Sequence, residues 1–149
     1  MLTSHQRRAE HINFVSHIVP FANRSSFLLW DRKYKRRIQI IEGSHHSTHM
    51  VPRNTKAVAV TCDSEYLLVL TRTSSRGQTT HYLMWHQIVR NPAGKLEVQD
   101  SYTKQKINTE TKCDSLNMVA LREADANFAL IAFSDGELHT VRAQQSQAA

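Results

Sequence analysis

Short apolar segments separated by polar turns run the length of the chain, and few of them are long enough to make a helix. Ile12–Phe21 is β-branched and aromatic, and Phe27-Leu28-Leu29-Trp30 follows a turn-like Ala22–Ser25 cluster. Ile38–Glu42 is closed by Gly43, and residues 43–55, polar and carrying Pro52, read as a loop. Lys56–Cys62 alternates, Asp63-Ser64-Glu65 turns, and Tyr66–Thr71 is a continuous apolar run. Arg72–Thr80 reads as a polar loop, His81–Val89 as a strand, and Lys95–Tyr102 alternates again. Leu116–Leu121 and Asn127–Phe133 are strands around a polar turn, and Asp135-Gly136 starts a hairpin into Glu137–Arg142. Bounded runs of four to eight apolar residues with turn residues between them are the signature of strands, so the pattern predicts an all-β protein.

The segments form three groups with a shared grammar: an alternating strand, a short polar turn, a more continuous apolar strand, then a polar turn and a further strand. The groups cover residues 12–42, 56–102 and 116–142, between a basic arm at 1–11 and a polar tail at 143–149. A recurrence of about 44 residues between the first two groups is near the ~40–45 residues of one four-stranded propeller blade.

On these residues the chain resembles the WD-repeat and related β-propeller family. Phe27–Asp31 is similar to the Trp-Asp strand end, Val58–Leu70 to the first two strands of a blade, and Phe133–Leu138 to the turn between the second and third. The resemblance implies antiparallel, blade-like sheets of a partial or open β-propeller. It also implies a non-catalytic role in protein–protein interaction, as a scaffold or a subunit of a larger assembly. Three blades do not close a ring, since propellers use roughly four to eight. Open strand edges would then be met by a protein partner, by self-association or by further sequence of a longer propeller. The alternative architecture is a single small closed β-barrel or sandwich, which needs no partner.

Composition narrows the classes. The chain has 149 residues, 40% hydrophobic and 21% charged, with four glycines and three prolines, which suits one globular domain and excludes collagen-like or highly charged disordered sequence. No apolar run approaches the ~20 residues of a membrane helix, so no membrane association is expected. Two cysteines, Cys62 and Cys113, suit a reducing compartment, and no secretory leader is legible, so cytoplasm or nucleus is the expected location.

Charge is unevenly placed. Residues 1–60 carry ten Lys/Arg against three Asp/Glu, whereas residues 61–149 carry nine against ten. The densest run is Arg32, Lys33, Tyr34, Lys35, Arg36 and Arg37, expected at a hairpin tip. Such a tip steers acidic partners and weakens with salt. Tyr34 could stack on a base, so a nucleic-acid-binding β-barrel using this basic N-terminal face is the alternative function. Tyr82 and Trp85, alternating with His81 and His86, are candidate aromatic anchors for a protein partner.

Catalytic and metal chemistry has little support. Nine histidines include the His45-His46-Ser47-Thr48-His49 cluster, but no Cys-x-x-Cys or His-Glu-x-x-His accompanies it, so no metal is expected. No nucleophile elbow is present, and Gly43, Gly77, Gly94 and Gly136 stand too far apart to cradle phosphate. Neither an enzyme nor a cofactor is expected.

Overall fold

The computed structural model describes residues 17–21, 25–30, 36–109 and 114–143. They form eleven strands and three antiparallel sheets. Sheet one holds β1 (His17–Pro20), β2 (Phe27–Trp30), β3 (Arg37–Glu42) and β4 (His45–Met50). Sheet two holds β5 (Thr55–Val60), β6 (Tyr66–Ser75), β7 (Gln78–Arg90) and β8 (Leu96–Ile107). Sheet three holds β9 (Ser115–Glu123), β10 (Ala126–Phe133) and β11 (Leu138–Arg142). In each, every strand pairs with the next in sequence, giving a simple meander. The all-β expectation holds, as antiparallel sheets of four, four and three strands. None closes on itself among the described residues, so the single-barrel alternative is not what these strands build.

Sheet two is the middle layer, and this explains its composition. A strand points successive side chains to opposite faces, so one covered on both sides must be apolar at every position. In β6, Leu67 and Val69 face sheet one beside Leu28, Trp30, Ile38 and Ile40. Leu68 and Leu70 face sheet three beside Ala129, Ile131 and Phe133. The same parity divides β5, with Val58 and Val60 on one face and Ala57 and Ala59 on the other. Full burial of each such leucine contributes about 1.5–3 kcal/mol. Beyond sheet one, Leu29 and Ile41 form a small separate cluster with Phe27.

Two segments expected as loops are strands. Residues 45–50 are β4, paired to β3 from Arg37↔Met50 to Glu42↔His45. Gly43 (φ +59) opens a two-residue turn, so the chain reverses at once and His45 re-enters the sheet. Apolar alternation is missing there because an outer strand needs few apolar contacts. The Arg72–Thr80 loop is instead a hairpin arm, paired to Ser75↔Gln78 and closed by Arg76 (φ 53) and Gly77 (φ 76). Two consecutive positive φ values match the twist that two-residue hairpins favour. β8 likewise runs on past Tyr102 to Ile107.

Candidate functional site

Three places on this framework concentrate chemistry: the two junctions beside the middle sheet, and the free side of sheet three.

At the junction of sheets one and two, His49 of β4 and His86 of β7 meet edge-to-face, ring centroids 4.9 Å apart. Both are buried, at 8% and 3% exposure. His86 Nδ1 lies 2.8 Å from the Gln99 carbonyl, which fixes that nitrogen as the donor in the neutral ring. His49 Nδ1 lies 3.7 Å from the exposed Asp100 carboxylate. Burial, helped by the neighbouring His86, pushes His49 down to about 4, with Asp100 opposing. Burial also lowers His86, against the Gln99 carbonyl and Asp100. The pair is therefore neutral at pH 7 and packs as part of the core. His45 and His46, consecutive on a strand, point to opposite faces and are exposed, so the three imidazoles of the His45–His49 run do not converge. Among the described residues no three His, Cys, Asp or Glu side chains gather as metal ligands.

At the junction of sheets two and three, Asp63 is a hub. Its Oδ1 accepts from Thr61 Oγ1 (2.5 Å) and the Glu65 N–H (3.1 Å). Its Oδ2 accepts from Arg122 Nη1 (2.7 Å) and Asn127 Nδ2 (3.0 Å). Burial alone would raise this carboxyl; the hydrogen bonds from Thr61, Asn127, Glu65 and Arg122 outweigh it and hold it below its ordinary value. The first pair of bonds shapes the β5–β6 turn, and the second ties that turn to the β9–β10 hairpin. Beside it a cavity of about 450 Å³ is lined by Tyr66, Trp85, Thr103, Asn127 and Arg142, among others.

The outward side of sheet three carries a group of apolar residues alongside Asn117, Glu123, Thr140 and Arg142, and no sheet covers it among the described residues. Phe128 lies opposite Leu121, Leu130 opposite Val119, and Ala132 opposite Leu138, all pointing away from the middle sheet. Val119 and Leu121 are each 43% exposed and Leu138 67%. This face was not singled out in the sequence, because its residues alternate with those of the opposite, buried face in one apolar run.

Of the basic run, Arg32, Lys33, Tyr34 and Lys35 lie outside the described residues. Arg36 is exposed, and Arg37 is half-buried at the start of β3. Of the two aromatic candidates, Tyr82 is partly exposed, with the Lys104 ammonium 4.2 Å from its ring centre. Trp85 is core: it is buried between sheets two and three, and its indole N–H donates to Gln105 Oε1. Cys62 is partly buried and free, and Cys113 lies outside the described residues. No helix is long and apolar enough to cross a membrane among the described residues.

No protein-family model, curated protein or solved structure matches this chain.

Proposed function

We propose that the chain is a non-catalytic protein–protein interaction module, a propeller-like stack of three blade-like meanders that serves as a scaffold or subunit of a larger assembly. The observation that carries this reading is the outward face of sheet three. The middle sheet buries both of its apolar faces, whereas Val119, Leu121, Phe128, Leu130 and Leu138 present a similar surface with no sheet laid over it among the described residues. A contiguous apolar patch of this kind marks an interaction surface. A further sheet packed there, from a partner, would extend the stack toward the roughly four to eight blades of closed propellers.

The test is partner capture by the full chain against the double variant Val119→Glu and Leu121→Glu. These side chains are partly solvent-exposed, so folding stability should change by only about 0.5 kcal/mol per site. Partners retained by the wild type should be lost from the variant in quantitative mass spectrometry. An identical set retained by a folded variant refutes the reading.

A further inference from the structure

The registers of sheet two set a row of cationic and aromatic side chains on one face. Residues opposite one another across an antiparallel pair share a face, as do alternate residues along each strand. Leu67 of β6 and Met84 of β7 lie on the face packed against sheet one. The pairings Leu67↔His86↔Tyr102, Val69↔Met84↔Lys104, Thr71↔Tyr82↔Lys106, Thr73↔Thr80 and Ser75↔Gln78 carry that face outward to the tip of the β6–β7 arm. Toward the tip it is no longer apolar. Lys104, Lys106, Thr73, Ser75 and Gln78 are exposed, Tyr82 and Thr80 are partly exposed, and Tyr102 is 51% exposed.

Aromatic and cationic groups interleave there. Lys104 and Lys106 follow Tyr102 at steps of roughly 7 Å along β8. The Lys104 ammonium lies 4.2 Å from the Tyr82 ring centre, and Tyr102 leans on the buried His86 ring with centroids 5.1 Å apart. A cavity of about 440 Å³ beside Tyr82 is lined by Thr73, Ser75, Arg76, Gln78 and Thr80. Asn54, in the turn before β5, donates to Thr73 Oγ1 (3.1 Å), which sets the exposed Arg53 next to the arm. The charge of this surface is one-sided. Residues 51–54, 71–82 and 103–107 contain Arg53, Arg72, Arg76, Lys104 and Lys106 and no Asp or Glu. Arg72 turns to the opposite face, where Asp114 holds it at 2.7 Å. The other four cations have no ion pair among the described residues. Asp100, on the same strand as Lys104, lies back beside His49.

These groups suit one class of ligand. A protein segment docks by burying apolar side chains at the centre of its interface, and no exposed aliphatic side chain stands among these positions. Phosphates meet the cations, and exposed tyrosines offer stacking to bases that are not already stacked in a duplex. We infer that the β6–β7 arm and the adjoining stretch of β8 form a binding face for a single strand of nucleic acid. Lys104, Lys106, Arg76 and Arg53 take its phosphates, Tyr102 and Tyr82 stack on bases, and Ser75, Gln78 and Thr80 hydrogen-bond base edges or sugars. This function is additional to the partner face of sheet three and rests on different residues.

Fluorescence anisotropy of the full chain with labelled strands of about twelve uridines or twelve deoxyuridines tests the face, a length within the ~4–16 nucleotides that one small β-barrel covers. Both should bind at about 50 mM salt. With four cations on phosphates, affinity should fall with a log–log salt slope of about −3, at roughly 0.7 per contact. Lys104→Gln combined with Lys106→Gln should cut that slope about in half. Tyr102→Ala should weaken binding about tenfold and leave the slope unchanged. All three side chains are exposed, so urea midpoints should move little and the losses report binding rather than folding. The ratio of the two affinities reads the 2′-hydroxyl and assigns RNA or DNA as the ligand.

Absence of binding to both strands at low salt overturns the inference. So does an unchanged slope in the lysine double variant, an unchanged affinity in Tyr102→Ala, or equal affinity for a duplex of the same length. Displacement of the strand by an equal concentration of a peptide of about twelve glutamates would also overturn it, and would assign the face to an acidic protein segment.

Discussion

The two junctions flanking the middle sheet solve one packing problem in different ways. Toward sheet one, large side chains (Leu28, Trp30, Ile38, Ile40 and Met84) fill the gap, and the polar element within it is a pair of neutral imidazoles. Toward sheet three, Ala57, Ala59 and Ala129 let backbones approach, so that β5 runs close to β9, while Trp85 and Phe133 fill the wider part. There the polar elements are the buried His81 ring, edge-to-face on Phe133 with centroids 4.9 Å apart, and a charged hub, Asp63 with Arg122, placed at the rim where water still reaches it. At the opposite rim, Asp114 lies 2.7 Å from Arg72 and 3.6 Å from Lys56. The difference shows a rule of placement: ionised groups hold the edges of a sheet junction, and groups inside it are tolerated in their uncharged form.

The contrast can be broken most forcefully by truncating one large side chain in each junction. Trp30→Ala and Phe133→Ala should each cost about 3–5 kcal/mol, read from urea denaturation. Because the middle sheet lies against both of its neighbours, a single transition should shift in both variants. Two separable transitions in either variant would mean that the junctions fold independently.

Acid separates the junctions by the identity of the titrating group. His49 is depressed in the folded state, from 6.5 to about 4, so the unfolded chain binds its proton first. Stability from this site is complete above about pH 6.5 and falls as the pH drops toward 4, by a total on the order of 3 kcal/mol. Denaturant titrations across that window should show the loss, and His49→Phe should remove the part of it that His49 contributes, leaving that of the also-depressed His86. Asp63 is also depressed, so its contribution is present above its ordinary carboxyl value and is lost at more acid pH. Asp63→Asn should remove that second, lower-pH component and leave the first untouched.

Removing the hub outright sharpens the comparison at neutral pH. Asp63→Ala leaves the Thr61, Asn127 and Arg122 donors without their acceptor and should cost about 1–3 kcal/mol by thermal or urea unfolding. The smallest effect is expected far from either junction, at the tip of the β6–β7 arm. Gly77→Ala places a side chain at φ +76 and should cost about 1 kcal/mol, visible as a small fall in melting temperature.

Strand content was legible from the chain alone because local alternation and turn chemistry report directly on backbone pairing. The double-sided burial of Leu67–Leu70 could be read from the continuous run, and Asp135-Gly136 announced its hairpin. The His45–Met50 strand and the Thr73–Gln78 arm could not, since both are polar and owe their place to pairing with a neighbour rather than to burial. Trp85 illustrates the same limit from the other side: its alternation with histidines suggested an exposed face, yet those histidines are themselves buried.

What the sequence determined by itself is therefore the class of local structure and the order of the hairpins, because both depend on neighbours within a few residues. Tertiary structure alone decided which histidines meet, that Asp63 finds Arg122 and Asn127 some sixty residues away, and that no described strand pairs with the outer edge of β11. Those depend on how the three sheets stack, and stacking is a property of whole faces that no single segment carries.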